Sequence, residues 1–252
     1  MNLPSDPLFY IVAVLAVVLV GLAKGGFAGL GTASMPLMTL VMSPVAAAAM
    51  LLPLFIVQDV VGVWAYRRTF DARTLAITLP GGALGTFLGW WLASSVSVWV
   101  VEAAVGAIAL MFGMNRLLAM RGLGMHASRW QPDYIGFFWG AASGFTSQIA
   151  LAGGPPFQIW AMTRKFSQDV FVGTCAIFFA AINWFKVPAF FALGQFTAAN
   201  LGLTLIFLPV AILSTFAGVW LVRRISADRF LIAINLLMVA VGAKLLWSAI
   251  LN

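Results

Sequence analysis

Charged side chains are scarce in this chain. Of its 252 residues only 8% are charged while 63% are hydrophobic, and the mean hydropathy is +1.03. A soluble domain averages about 25% charged residues and about half apolar ones. The composition therefore excludes a soluble enzyme, a nucleic-acid-binding domain and a disordered chain. It indicates a protein whose surroundings are mostly lipid.

Cysteine and histidine are nearly absent as well. The single cysteine, Cys175, excludes an intrachain disulfide and a multi-cysteine metal site. It lies in an apolar run, where we interpret it as a small buried hydrophobic residue. Residues 1–7 carry no Lys or Arg. We therefore interpret the first apolar run as a retained membrane segment and not as a cleaved signal peptide.

Long apolar runs fill most of the chain. They lack the alternation of β-strands and are too long for barrel strands, so they predict helices. Two of them are interrupted by glycine and proline, at residues 24–36 and 153–156. We expect each to form two helical pieces joined by a glycine-rich break. The pieces of the first, 8–23 and 30–42, are short for complete crossings, so shallow hairpins are predicted.

An internal repeat relates the two parts of the chain. Residues 79–92 match residues 208–221 without gaps, and the matched positions include a proline, a threonine, a phenylalanine, a glycine and a tryptophan. The sequence therefore predicts a first membrane repeat at 8–120, a cytoplasmic linker at 121–133 and a second membrane repeat at 134–251.

The distribution of positive charge predicts the topology. The loop at 67–73 contains three arginines, whereas its counterpart at 193–199 contains none. Short cytoplasmic loops collect Lys and Arg, so equivalent loops are expected on opposite sides of the membrane. The predicted fold is an all-α polytopic membrane protein with two inverted-topology repeats, each a broken helical hairpin followed by three transmembrane helices. Both termini are predicted to be periplasmic, in a bacterial inner membrane.

One acidic residue lies in the middle of an apolar run. A charge at the centre of a bilayer helix costs roughly 2.5–3.5 kcal/mol on insertion scales, so Asp59 needs a reason to be there. The repeat alignment pairs it with Asn183, and in inverted halves the two are expected to meet near the midplane, where transporters of this type bind substrate and ions. Asp59 is therefore the candidate ion-coupling residue. A hydrogen bond that only fixes helix packing is the alternative.

The two glycine breaks form the second candidate site. Unwound backbone is tolerated at membrane depth only where it is buried or lines a cavity. Helices that restart after a break offer free N–H groups and a positive dipole end to an anion. We therefore predict a binding site for a small oxyanion, with Lys24 and Lys186 as charge partners. Its predicted members are Lys24, Gly25, Gly26, Gly29, Gly31, Thr32, Ser34, Ser147, Gln148, Gly153, Gly154, Asn183 and Lys186.

These features resemble the TauE/SafE family of sulfite and organosulfonate exporters. The resemblance rests on the two breaks, the chain length, the two-half layout and the run 183–186 followed by Gly194. It implies an anionic substrate with a sulfur oxyanion group, such as sulfite or a short organosulfonate like sulfoacetate, and coupling to an ion gradient. The breaks contain Gly-Phe-Ala-Gly and Leu-Ala-Gly-Gly-Pro-Pro where the family often has denser glycine, a departure that would reshape the pocket.

Several functions remain open at this point. We expect a secondary transporter that exports the anion by alternating access, coupled to a proton or a sodium ion. An anion channel, an uptake permease for sulfonate-type or sulfate-type anions and a non-transporting membrane factor are the alternatives. A membrane enzyme is disfavoured because the sequence has no nucleophile–base arrangement, so no catalytic residue, metal or cofactor is expected. The expected partners are the small anion, the bilayer and the coupling ion; nucleic acid is excluded and a homodimer is left open.

Overall fold

The structure, a computed structural model, describes residue 4 and residues 6–27, 29–93, 97–123, 131–222, 224 and 228–251. The elements in these residues are helical. They are α1 (Pro7–Lys24), α2 (Ser34–Met38), α3 (Pro44–Tyr66), α4 (Ala72–Ala93), α5 (Val98–Met120), α6 (Asp133–Ala150), α7 (Gly154–Ala161), α8 (Gln168–Ala192), α9 (Ala198–Leu221) and α10 (Asp228–Leu251). Short 3₁₀ turns precede α2, at Leu30–Ala33, and follow α7, at Met162–Arg164.

Many of these helices have the length and composition of membrane spans. Within the described residues, six are long and apolar enough to cross a bilayer, namely α1, α3, α4, α5, α8 and α9. The helix α10 adds a shorter apolar segment, Ile234–Ala249. A crossing requires about 20 apolar residues. The predicted class, a multi-pass helical membrane protein, is confirmed.

The first hairpin breaks where glycine allows an unusual backbone. After α1 the chain turns through Gly26 and Gly29, whose φ angles of 133° and 97° are disfavoured for other residues. The predicted break into two pieces is confirmed. The hairpin was predicted to be too shallow to cross the membrane. Its first arm is longer than that, because α1 has 18 residues and extends about 27 Å. The second arm, formed by the 3₁₀ turn and α2, is short.

The second hairpin breaks through a different local structure. α6 ends at Ala150, and Leu151 adopts a φ of 51°, which is uncommon for a residue with a side chain. α7 then begins Gly154-Pro155-Pro156. Proline is well tolerated in the first turn of a helix because the N–H it lacks has no partner within the helix there. The same prolines remove two of the N–H donors that we predicted for an anion at this helix start.

The linker predicted at 121–133 begins where α5 ends. α5 continues to Met120, so Arg116 lies in a helix and not in a loop. Arginine is a good helix former, and a cation near a helix C-terminus interacts favourably with the macrodipole, so this charge does not end the helix. Most of the predicted linker, residues 124–130, lies outside the described residues.

Each hairpin packs against a helix from the other part of the chain. α1 runs parallel to α9, and α6 runs parallel to α4. The neighbouring positions are Gly21 with Ser214 and Gly25 with Gly218 in the first pair, and Gly81 with Phe137 and Gly85 with Ala141 in the second. A methyl group at these glycines would overlap the neighbouring helix, so glycine is what allows the close approach.

Two further helix pairs run antiparallel. In α3 and α8, Asp59 lies beside Asn183, whereas Tyr66, further along α3, lies beside Gly173, further back along α8. In α5 and α10 the order is also reversed. Gly106 lies beside Leu245, and Gly113 lies beside Asn235. α3 is also parallel to α9, because Met50 accepts a hydrogen bond from Thr204 and Gln58 donates one to Ala211.

The basic loops meet at one end of the bundle through Asp133. Its carboxylate accepts a hydrogen bond from Arg73 at 2.6 Å and pairs with Arg164 at 2.9 Å. Arg164 also donates to the backbone oxygen of Gln131 at 2.9 Å. Because α9 is parallel to α3, Arg224 after α9 lies at this end too. We call it the basic end.

Candidate functional site

A cavity of about 110 Å³ lies between the two glycine breaks. α1 and the first break form one side, α6 and the second break form the other, and α3 and α8 complete the wall. Of the predicted substrate and coupling residues, those that line it are Lys24, Gly26, Gly29, Gly31, Thr32, Asp59, Ser147, Gly153, Gly154 and Asn183. The fold therefore brings together breaks that lie more than a hundred residues apart in sequence. We call this the central cavity.

A buried chain of polar groups crosses the wall of the central cavity. The ammonium of Lys24 forms an ion pair and a hydrogen bond with the carboxylate of Asp59. The amide of Asn183 donates to the other carboxylate oxygen at 2.6 Å. Side-chain exposure is 12% for the lysine and 4% for the aspartate, so both charges are largely removed from solvent. The predicted meeting of Asp59 and Asn183 is confirmed.

Local structure explains why these charges are tolerated. Lys24 is the last residue of α1, where the negative end of the helix dipole favours a cation. Its ammonium also lies 5.4 Å from the centroid of the Phe55 ring. Next to Asp59, the fully buried Gln58 donates to the backbone oxygens of Val17 at 3.2 Å and Ala211 at 3.4 Å. These bonds hold α3 against α1 and α9 at the level of the ion pair.

A second lysine lies behind the cavity wall. Lys186 is fully buried and does not line the central cavity. Its ammonium donates to the hydroxyl of Ser147 at 3.1 Å, and the backbone oxygen of that residue is 3.5 Å away. Lys186 is three residues after Asn183 on α8, so both lie on one face of that helix. Ser147 lines the cavity and links the buried ammonium to it.

The basic residues around the central cavity outnumber the acidic ones. Asp59 is the one acid among the described residues that line the cavity, and it pairs with Lys24. Burying a charge without a partner is costly in a low-dielectric surrounding. No carboxylate of the described cavity lining is bonded to Lys186, so an anion in the cavity would be a counter-charge for its ammonium form.

Three further predicted site residues do not line the central cavity. Gly25 packs against α9, and its carbonyl accepts a hydrogen bond from the hydroxyl of Tyr66 at 2.8 Å. Ser34 is fully buried and donates to a carbonyl of its own turn. Gln148 packs against Gly89 of α4. Small and polar residues at helix contacts have the same sequence signature as residues that face a cavity, which is why the sequence did not separate them.

The sequence analysis missed the apolar wall of the cavity. Phe171, Cys175 and Phe179 line it from α8, and they follow one another at intervals of four residues that end at Asn183. This spacing places all four on one helix face, a signal that was available in the sequence. Cys175 packs against a buried apolar cluster, as interpreted, but its burial is partial because its side chain also lines the cavity.

No metal centre is indicated in the described part of the chain. Among those residues, no three His, Cys, Asp or Glu side chains lie together where they could hold an ion. The polar groups on the cavity wall are instead an ammonium, a carboxylate, an amide and hydroxyls. Such groups bind and orient a charged solute.

Together these features define a polytopic helical membrane protein with broken helices around a charged cavity. The chain belongs to the sulfite exporter TauE/SafE family, because the model of that family matches residues 13–245. The resemblance seen in the sequence is thereby confirmed over nearly the whole chain. No curated protein and no solved structure matches this chain.

Proposed function

We propose that this protein is a secondary transporter that exports a small sulfur-containing anion, sulfite or a short organosulfonate such as sulfoacetate, across the bacterial inner membrane. Membership of the sulfite exporter family supports the substrate class. The observation that carries the proposal is the buried chain of Lys24, Asp59 and Asn183 on the wall of a cavity between two broken hairpins.

The helix directions support two inverted repeats. If the halves are equivalent, α3 corresponds to α8 and α5 corresponds to α10. Both of these pairs run antiparallel, as equivalent helices must when one repeat is inverted relative to the other. The pairing of α1 with α9 and of α6 with α4 follows the same two-fold relation. A cavity at the repeat interface is the usual substrate site of such transporters.

The basic end supports an orientation. Arg73 and Arg164 meet there at Asp133, and short loops rich in Lys and Arg are retained in the cytoplasm. We therefore place the basic end in the cytoplasm. Since α1 begins and α10 ends at the opposite end of the bundle, both termini lie on the periplasmic side.

The cavity wall suggests how the anion is recognised. The oxyanion group is placed near Lys24 and Ser147, which offer an ammonium and a hydroxyl. Phe171 and Phe179 of α8 form an apolar wall that would contact the carbon chain of an organosulfonate. An inorganic anion gains nothing from that wall, so a short organosulfonate fits this cavity better than sulfite does.

Asp59 supports a coupling mechanism by alternating access. Substrate and the Asp59 carboxylate compete for the same ammonium of Lys24. Protonation of Asp59 would release Lys24 to the anion, and loss of the proton would restore the ion pair and expel the anion. Occupancy of the site by substrate and by proton is thereby linked, as a coupled transporter requires.

The test is transport in proteoliposomes with Asp59→Asn, after a thermal-shift screen with sulfite, sulfate, thiosulfate and short sulfonates. The matched control is Asp169→Asn, which alters an exposed acid in the first turn of α8. We expect wild type and the control to show pH-dependent transport, and we expect Asp59→Asn to lose the pH dependence while it still binds the anion.

Other outcomes separate the alternatives. Full pH-dependent transport by Asp59→Asn contradicts the coupling role. A current that does not depend on a counter-ion indicates a channel, and net inward movement under a physiological gradient indicates an uptake permease. Absence of binding by any sulfur anion contradicts the proposed substrate class.

A further inference from the structure

A second cavity adjoins the central one. It has a volume of about 90 Å³ and lies between α5, α7 and α10. Gly29, Thr32 and Gln158 line both cavities, so the two share a wall. A solute in the second cavity is therefore separated from the central cavity only by the first glycine break and one glutamine side chain.

The second cavity lies toward the basic end. Arg116 and Asn115 line it from the last turns of α5, and Met162 lines it two residues before Arg164. Arg164 belongs to the cluster at Asp133 that marks the basic end. A solute approaching from that side reaches the second cavity before it reaches the central one.

The walls of this cavity suit an anion. Arg116 supplies a permanent positive charge in a partly enclosed position, and Asn115 and Asn235 add amide groups to the same wall. No aspartate or glutamate is among the described residues that line it. A guanidinium binds the oxygens of a sulfonate or sulfite through paired hydrogen bonds, which an ammonium cannot match in geometry.

We propose that the second cavity is an anion vestibule, in which Arg116 captures the substrate anion and passes it over Thr32 and Gln158 to the central cavity. The identity of the anion rests on the proposed function, whereas the path and its charge do not. This assigns a role to an arginine in the last turns of α5. Because a charge in an apolar-walled cleft focuses its field, the vestibule raises the local concentration of anions at the inner site.

The native cysteine provides the test. Cys175 is the single cysteine of the chain and lines the central cavity. The purified full-length protein is treated with two methanethiosulfonates of similar size, one bearing a sulfonate and one bearing a trimethylammonium group. The ratio of the two modification rates reports the charge of the path and is independent of the intrinsic reactivity of the thiol.

We expect Arg116→Gln to lower the ratio of anionic to cationic modification by about tenfold, the lower end of electrostatic focusing effects. Arg116→Lys keeps the charge and is expected to retain most of the ratio. The matched control is Arg121→Gln, an exposed arginine just after α5, which should change the ratio by less than twofold. In transport from the basic end, Arg116→Gln should raise the KM about tenfold and leave kcat near the wild-type value.

Equal effects of Arg116→Gln and Arg121→Gln would overturn the vestibule, since the charge would then act only as part of the general field. If Cys175 reacts too slowly to follow, Gln158→Cys in a Cys175→Ala background gives the same measurement at the shared wall. A charge-selective path in a protein that binds no sulfur anion supports the vestibule and contradicts the proposed substrate. Sulfur-anion transport together with an unchanged modification ratio in Arg116→Gln supports the proposed substrate and contradicts the vestibule.

Discussion

The two hairpins have the same architecture and opposite chemistry. In the first, the long arm α1 carries the cation Lys24, and the following helix α3 carries its counter-charge Asp59. In the second, the long arm α6 carries the neutral Ser147, and the following helix α8 carries the cation Lys186. Each half of the chain thus contributes one lysine, but only Lys24 pairs with a carboxylate.

This difference separates the roles of scaffold and charge. A cavity between two hairpins can be formed by a symmetric scaffold, but a symmetric set of charges would give the two faces of the membrane the same affinity for an anion. In the proposed mechanism, the single carboxylate at Asp59, opposite the neutral Asn183, would make only one half of the site respond to protons. We expect substitutions that remove this asymmetry to have the largest effects.

The first prediction concerns the charged arm. Lys24→Met leaves the buried Asp59 without its cation, and removal of one partner of a buried ion pair costs about 3–5 kcal/mol. We expect a marked fall in the thermal unfolding midpoint in detergent and loss of transport. The double variant Lys24→Met with Asp59→Asn removes both charges and should recover most of the stability without recovering transport.

The control for this prediction is Lys244→Met, which removes an exposed lysine from α10. It should leave both the midpoint and transport close to wild type. A single variant Lys24→Met as stable as the control would show that the ion pair contributes nothing to the fold, and transport by the double variant would remove the pair from the mechanism.

The second prediction concerns the neutral arm. Ser147→Ala deletes the hydroxyl that accepts from Lys186 at 3.1 Å and leaves only the backbone oxygen at 3.5 Å. Hydrogen bonds to charged groups contribute about 1.5–3 kcal/mol to stability. We therefore expect the free energy of unfolding to fall by an amount in this range, less than for Lys24→Met. Denaturant titration in micelles measures it.

Thr146→Ala is the matched control for the neutral arm. Its hydroxyl is bonded to carbonyls of its own helix and to no other element, so little change is expected. If Ser147→Ala lowered the stability as little as this control does, the hydrogen bond between Lys186 and Ser147 would not stabilise the fold. That result would contradict the role given to the neutral arm.

The smallest effect is expected at the basic end, where Asp133 connects the first turn of α4 to the end of the second hairpin. The hydrogen bond from Arg73 holds the pKa of this partly buried carboxyl below its usual value. A lowered folded-state pKa contributes stability above the unfolded value, near pH 4, and this contribution is lost as the pH falls through the folded-state pKa.

Asp133→Asn should therefore cause a small fall in the unfolding midpoint at neutral pH and none in strong acid. Measurement of the midpoint of both proteins from pH 7 to pH 3 checks this, with Asp169→Asn as the exposed control. A difference that grows on acidification would contradict the assigned direction of the pKa shift.

Much of the fold followed from local sequence features. Apolar runs of membrane length gave the helices, and the positions of glycine and proline gave both breaks, because these residues limit the backbone directly. The depth of α1 was underestimated because the break itself shortened the apparent run.

The site was predictable where the repeat related two positions. The meeting of Asp59 with Asn183 follows from their alignment, since equivalent depths in two halves become neighbours at the interface. The roles of Gly25 and Gln148 were not predictable, because whether a small or polar residue faces a helix or a cavity depends on the rotation of that helix. The apolar wall of α8 was hidden among aromatic residues of the kind that also face lipid.

The packing of each hairpin on the other part of the chain has a consequence for biosynthesis. α1 leaves the ribosome first, but its close glycine contact is with Gly218 in α9, near the end of the chain. The first five helices therefore cannot complete their packing while they are being inserted. They remain in the bilayer, with the surface that packs against α9 still uncovered, until nearly the whole protein has been synthesised.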